Sequence, residues 1–246
     1  MSPPRLWTDL RRYTQARVAL GRAGNAVPTV AHLAFQADHA AARDAVHAAL
    51  DVEVLRRDLG IDAPHVRSAA PDRTTYLLRP DLGRMLQPDC RLDPIPGCIA
   101  IVICDGLSAI AAQRHAPALI AAMRQTTPIA IGQGWPVVIA TQARVALGDD
   151  IGALLQAEVV VVLIGERPGL SAADSLGAYL TWQPRRGRTD AERNCVSNIR
   201  PDGLAIADAA LKLNWLIGQI CRVRLSGVAL KDEQPSYERS ISVDIT

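Results

Sequence analysis

Runs of apolar residues separated by helix-like stretches dominate the second half of the chain. Apolar runs rich in β-branched residues occupy Cys98–Cys104, Pro136–Ala140 and Glu158–Ile164. Because polar residues do not alternate along these runs, we predict strands that are buried on both faces of a sheet. Apolar residues at helical spacing predict helices over Leu107–Met123 and Gly148–Gln156.

Strands that alternate with helices in this way predict a specific fold class. We expect an α/β protein with a Rossmann-like, doubly wound, mostly parallel sheet and an N-terminal helical subdomain. A further strand is predicted at Ala178–Trp182 and a long helix at Gly203–Leu225. Ligands bind beyond the carboxyl ends of the strands in such a sheet, so the residues that follow each strand are candidates for a site.

The N-terminal part of the chain is predicted to be mainly helical. Ala, Leu and Val recur at helical spacing from Pro28 to Leu59, with Thr29 as a candidate N-cap and Gly60 as a stop. The next stretch, Arg67–Met85, is mixed in character and is predicted to be rich in loops. We therefore expect a helical subdomain ahead of the sheet.

A cluster of prolines marks the predicted boundary between domains. Pro88, Pro94 and Pro96 precede the first apolar run, and Gly97 follows them. We place the N-terminal helical subdomain at residues 1–90, an α/β domain at residues 91–230 and a polar C-terminal tail at residues 231–246. The tail is expected to be frayed, or ordered only against a partner.

Composition narrows the classes of function. The formal net charge of +2 gives no electrostatic support to nucleic-acid binding. The longest apolar runs are too short to span a bilayer, and charges interrupt the N-terminal residues where a signal peptide needs an apolar core. The five cysteines form no CxxC pair, so we expect neither a disulfide framework nor a zinc site. We predict a cytoplasmic protein with no nucleic-acid or membrane partner.

Two carboxylates follow predicted strands, although the familiar catalytic signatures are missing. The sequence contains no P-loop, no complete GxGxxG and no nucleophile elbow. We favour Asp105 as a cap for the helix that follows it, with ligand binding as the alternative. For Glu166 three roles stay open: an acceptor for a ligand, an ion pair with Arg167, or a helix cap.

An arginine-rich stretch, Pro184–Gly203, is predicted to be a long loop. Its arginines would either clamp a phosphate or carboxylate or form a solvated charged surface. Cys195 lies within it, and a loop cysteine beside arginine would have a lowered thiol pKa. No histidine lies near Cys195 in sequence, so we do not assign it as a nucleophile.

A series of motifs, in order from about residue 16 to residue 232, is similar to one known family. The most specific are GERPGL, DSLG and NCVSNI, and the series also includes DRTTYLLRPDLGR, IVICDGLSA and ARVALGDDIGALL. Together they resemble the small subunit of ethanolamine ammonia-lyase. The resemblance covers nearly the whole chain, with a shorter N-terminal lead segment than some members of the family carry.

This resemblance implies an adenosylcobalamin-dependent lyase that converts ethanolamine to acetaldehyde and ammonia by radical amino migration. It implies a large-subunit partner, a barrel with the substrate site, while the small subunit completes the cobalamin site and is inactive alone. Hence we expect no catalytic residue and no metal ligand in this chain. A bacterial microcompartment stays open as a location within the cytoplasm.

The resemblance also implies three cofactor contacts, because each matches the family in identity and local motif. They are Val145 of ARVALGD, Glu166 of GERPGL and Cys195 of NCVSNI. No D-x-H-x-x-G run is present, so we expect the cofactor to keep its own benzimidazole as the lower cobalt ligand. Two other readings stay open: a stand-alone nucleotide-binding domain, and a purely structural subunit that does not contact the cofactor.

Overall fold

The computed structural model describes residues 5–10, 13–14, 16–127 and 134–233. These residues form helices, a sheet and two short 3-10 turns at Leu82–Arg84 and Asp190–Glu192. The helices are α1 (Arg5–Leu10), α2 (Thr29–His47), α3 (Val52–Leu59), α4 (Arg73–Leu78), α5 (Ala109–Thr126), α6 (Leu147–Leu154) and α7 (Ile206–Val223). The strands are β1 (His65–Arg67), β2 (Ile99–Cys104), β3 (Val137–Thr141), β4 (Val159–Gly165), β5 (Leu176–Trp182) and β6 (Arg193–Ile199).

The described residues form one six-stranded mixed sheet with the order β1-β3-β2-β4-β5-β6. The strands β1, β3, β2 and β4 are parallel to one another, while β5 and β6 form an antiparallel hairpin on the β4 side. The predicted α/β class is confirmed, and the sheet is mixed because this hairpin continues it. The Rossmann-like, doubly wound description stays a prediction.

Two cores cover the two faces of the central strands. Ile101 and Ile103 lie in one core with residues of α5 and α7, and Ala100 and Val102 lie in the other with Leu147 of α6 and its neighbours. Every residue of β2 and of β4 is buried, which confirms the prediction of strands buried on both faces. Small aliphatic side chains allow the helices to pack closely on both sides of the sheet.

The predicted loop Pro184–Gly203 is wrong over its second half, because Arg193–Ile199 forms the edge strand β6. Much of an edge strand faces solvent, so this strand contains many polar residues. It therefore lacks the continuous apolar run that predicts a buried strand. Buried Arg193 begins it and forms a two-point ion pair with Asp149 of α6, with both N–O distances 2.7 Å. This pair joins residues that are distant in sequence, so no local pattern reveals it.

The predicted helix Pro28–Leu59 is two helices, with a break between His47 and Val52. The carboxylate of Asp51 accepts the Val54 N–H and caps α3, which explains the restart. Thr29 is the first residue of α2 and not its cap, while Gly60 ends α3 in the left-handed conformation, as predicted. The loop-rich stretch after it also contains the short helix α4.

The predicted domain boundaries stay a prediction. The strand β1 and the side chain of Leu55, both from the first 90 residues, join the sheet and its core. Of the predicted polar tail, residues 234–246 lie outside the described part of the chain. Within the described ranges, no helix is long and apolar enough to cross a membrane.

Candidate functional site

A cleft of about 420 Å³ opens at the carboxyl ends of the central parallel strands. This is the edge at which α/β sheets bind ligands. Residues from three strand ends, the short helix α4 and the hairpin meet there. Its lining includes Tyr76, Arg144, Val145, Glu166, Arg167 and Tyr179.

Two glycines allow the ends of β2 and β4 to meet at the floor of this cleft. A Cβ on Gly106 would lie 2.2 Å from the carbonyl oxygen of Gly165, and a Cβ on Gly165 would lie 1.9 Å from that of Ser108. The Leu107 N–H donates to the Gly165 carbonyl at 2.9 Å. The floor is therefore main chain against main chain, which leaves room above it for a ligand.

Val145 lies in the loop between β3 and α6 and lines the cleft. The helix α6 that follows it packs closely on β4, since a Cβ on Gly148 would lie 2.2 Å from Val162. Val145 is half-buried, so part of its apolar surface is open to a ligand.

Asp105 does not cap the helix that follows it, so that prediction is wrong. Ser108 caps α5 instead, with its hydroxyl accepting the Ala111 N–H at 3.3 Å. The buried carboxylate of Asp105 accepts the main-chain N–H groups of Gln142 at 2.9 Å and Ala143 at 3.0 Å. Burial raises the pKa of Asp105, opposed by these hydrogen bonds and by the charge of Arg73.

Glu166 joins the end of β4 to the hairpin. Its carboxylate accepts the hydroxyl groups of Ser175 and Ser197 and the N–H of Asn198, the last at 3.2 Å. A carboxylate offers about four acceptor directions, so about one remains for a ligand. The structure describes both Glu166 and Arg167 and shows no ion pair between them.

Cys195 lies on the edge strand β6, not in a loop. It is paired with Tyr179 across the hairpin and is exposed. Partial desolvation raises the pKa of the Cys195 thiol, a hydrogen bond with Tyr179 opposes this, and the charge of Glu166 adds to it. The predicted lowering of this pKa is therefore wrong, and the thiol is neutral at pH 7.

The structure brings two of the three predicted contacts into one cleft and places the third beside it. Val145 and Glu166 line the cleft, and Cys195 reaches its edge through Tyr179. Tyr76 and Tyr179 also line the cleft and are absent from the predicted site, whereas Arg144 lies in Gln142–Val145, which is predicted as a candidate position after the strand Pro136–Ala140. The signal for Tyr179 is its position on a predicted strand, whereas Tyr76 lies in a stretch predicted as loop.

The arginines of Pro184–Gly203 mostly hold the fold together. Arg186 pairs with Asp150 at 2.8 Å, Arg188 donates to the Trp182 carbonyl at 3.0 Å, and Arg200 donates to the Ser171 carbonyl at 3.0 Å. Arg193 forms the buried pair with Asp149. These contacts support neither the predicted phosphate clamp nor a purely solvated surface.

The fold and the cleft define an α/β protein with a ligand-binding edge at the ends of its parallel strands. The family model for the ethanolamine ammonia-lyase light chain matches residues 4–231. The chain therefore belongs to the ethanolamine ammonia-lyase light chain family. The resemblance seen in its motifs is confirmed, as is the predicted enzyme class, a subunit of an ammonia-lyase.

Several individual relatives are similar over almost the whole chain. The chain is 54% identical over 241 residues to an ethanolamine ammonia-lyase small subunit of Azotobacter vinelandii, which covers 92% of this chain and 88% of that protein. A small subunit from Bradyrhizobium diazoefficiens is 54% identical over 243 residues, 94% of this chain and 92% of that protein. One from Xanthomonas campestris is 50% identical over 248 residues, 94% and 90% respectively.

Proposed function

We propose that this chain is the small subunit of an adenosylcobalamin-dependent ethanolamine ammonia-lyase and forms one side of its cobalamin site. The enzyme converts ethanolamine to acetaldehyde and ammonia. The observation that carries the proposal is the meeting of Val145 and Glu166 in one cleft at the strand ends, with Cys195 beside it. Family membership and the names of the relatives support the reaction.

The residues of the cleft fit a corrinoid. A corrinoid has a broad apolar face and a rim of amide groups, so it needs apolar contact in the middle and hydrogen-bonding groups around it. Val145 offers apolar surface, and Glu166 retains acceptor capacity for an amide N–H. The neutral thiol of Cys195 adds a soft contact that carries no charge. When bound, adenosylcobalamin supplies the radical chemistry of the reaction.

The contacts within the cleft favour binding over proton transfer. Glu166 accepts from three hydrogen-bond donors, which hold its carboxylate in place as a fixed acceptor. Desolvation raises the pKa of Tyr179 and keeps its hydroxyl protonated. The chain therefore holds and orients the cofactor, and the substrate site belongs to a partner.

The partner is the large subunit, a barrel, in a hetero-oligomer of both chains. The cleft is open and smaller than a corrinoid, so a second protein surface is needed to enclose the cofactor. The chain has no D-x-H-x-x-G run, so it would hold the cofactor through the cleft residues without supplying a histidine from such a motif. The Rossmann-like character of the parallel strands and a location in the cytoplasm, with a microcompartment as the alternative, belong to the same proposal.

An assay of the assembled complex tests this function. The chain is co-expressed with an ethanolamine ammonia-lyase large subunit, and acetaldehyde is measured after adenosylcobalamin and ethanolamine are added. We expect product from the complex and none from either subunit alone. An assembled complex that forms no acetaldehyde would refute the proposal.

A substitution at Glu166 separates a cofactor contact from a purely structural subunit. Glu166→Gln keeps the size of the side chain but loses charge and one acceptor oxygen. We expect cyanocobalamin to bind the assembled complex about tenfold more weakly, the effect of losing one charge-assisted hydrogen bond. Unchanged affinity in a complex that still assembles would favour the structural role.

A further inference from the structure

We propose that Asp105, Arg73, Tyr76 and Arg144 form a positioning cluster that fixes the loop between β3 and α6, and with it Val145, in the conformation that meets the cofactor. This inference rests on the proposed function of the cleft. It also gives a role to the DRTTYLLRPDLGR stretch, which supplies Arg73 and Tyr76.

Asp105 fixes the first turn of that loop. Gln142 adopts a left-handed conformation, with φ of 55°, which is costly for a residue that has a side chain. The carboxylate of Asp105 accepts the N–H of Gln142 and of the next residue, Ala143, and so stabilises this conformation. The direction in which the chain leaves the turn sets the position of Val145, three residues on.

Arg73 holds Asp105 in place. It donates to the Asp105 carboxylate at 3.3 Å and to the Gly106 carbonyl at 2.8 Å, both at the end of β2. A third bond, to the Val46 carbonyl at 2.8 Å, joins this end to α2. A buried carboxylate needs such a partner, because an unpaired buried charge is strongly destabilising.

Tyr76 supports the middle of the loop. It is fully buried, and its hydroxyl donates to the Ala143 carbonyl at 3.0 Å. The guanidinium groups of Arg73 and Arg144 lie over its ring, 4.8 and 4.4 Å from the centroid, as in cation–π contacts. The main-chain N–H of Arg144 donates to the Gly83 carbonyl at 2.8 Å.

The cluster is poorly arranged for stability alone. Within the described part of the chain, buried Arg73 Nη2, Gln142 Oε1 and Arg144 Nε have no hydrogen-bond partner. Unpaired buried polar atoms and a strained main chain both cost stability. Three such atoms lie together around the strained Gln142 at the ligand-binding edge, and Tyr76 and Arg144 line the cleft itself. This arrangement supports a role in fixing a conformation needed for binding.

Tyr76→Phe tests the inference with a minimal change. It removes the hydroxyl that donates to Ala143 and keeps the ring under both arginines. In the assembled complex, we expect about fivefold weaker cyanocobalamin binding, from loss of one hydrogen bond. The apparent KM for adenosylcobalamin rises by the same factor, while kcat at saturating cofactor is unchanged. Amide hydrogen exchange at residues 143–145 becomes faster in the complex without cofactor.

Ser226→Ala is the matched control. Ser226 also donates a buried hydroxyl to a main-chain carbonyl, that of Glu192, and it lies beside Trp182, at the other end of the hairpin from the cleft. We expect it to lower thermal stability without changing cobalamin affinity or exchange at residues 143–145.

The outcomes separate the two proposals. Tyr76→Phe binding as tightly as the wild type, or no more weakly than Ser226→Ala, would overturn the positioning role while leaving the proposed function intact. A wild-type complex that binds no cobalamin would overturn both.

Discussion

The parallel strands and the antiparallel hairpin build the same cleft by different means. At the ends of β2 and β4, main chain packs on main chain, and glycines at positions 106 and 165 permit the approach. The hairpin instead contributes side chains: Tyr179, and the serines that hold Glu166. It is joined to the rest of the fold by the pairing of β5 with β4 and by the buried Arg193–Asp149 pair. One side of the site depends on close packing of the main chain, and the other on side chains that hold Glu166.

The largest effect is expected where the hairpin is anchored. Asp149→Asn leaves the guanidinium of Arg193 buried without its counter-charge, which costs about 3–5 kcal/mol. We expect a large fall in the free energy of unfolding of the full chain, measured by urea denaturation. The double variant Asp149→Leu/Arg193→Met removes both charges and recovers much of the loss. Equal loss in the single and double variants would contradict this account.

A methyl group in the floor of the cleft tests the parallel side. Gly165→Ala places a Cβ 1.9 Å from the Ser108 carbonyl, so main chain must move, at a cost of about 1–3 kcal/mol. The control is Gly218→Ala in α7, where nothing lies within 4 Å of the added Cβ. It should stabilise by about 0.5–1 kcal/mol. Thermal unfolding of both variants measures the difference, and similar shifts in the two would count against the close approach.

The smallest effect concerns the charge state of Cys195 in the hairpin. Its raised pKa means that the thiol adds stability below the pKa of the unfolded chain, and that this stability is lost as pH rises through the higher folded value. Alkylation of the native protein by iodoacetamide should be slow at pH 7 and speed up only above the ordinary cysteine range. The variant Cys195→Ser shows how much of the measured alkylation occurs at this residue and not at the other cysteines. Rapid alkylation at pH 7 would show a thiolate instead.

The difference between the parallel strands and the hairpin also explains how much of the fold could be predicted from the sequence. The central strands could be found because a strand buried on both faces is a continuous apolar run, as in Ile99–Cys104. The strand β6 could not, because only part of it is buried and its buried ion pair joins residues 44 positions apart. The role of Asp105 could not be predicted for a similar reason, since its partners Gln142 and Ala143 are distant in sequence.

The candidate site could also be predicted only in part from the sequence. The predicted ends of the strands indicate the edge of the sheet at which Val145 and Glu166 lie. The resemblance to family motifs distinguishes these two residues from their neighbours. The bonds that hold Glu166 come from Ser175 and Ser197 on the hairpin, and the cleft walls come partly from Tyr76, far away in sequence. Such contacts depend on the completed fold, so neither spacing nor periodicity reveals them.

The central claim is that residues at the ends of the parallel strands and residues of the hairpin contact one cobalamin. A cryo-electron microscopy structure of the complex assembled from both subunits, with cyanocobalamin bound, tests it directly. We predict that Val145, Glu166 and Cys195 all lie within about 4 Å of the corrinoid, the range of direct contact. A corrinoid bound only to the large subunit, or to another face of this chain, would contradict the claim.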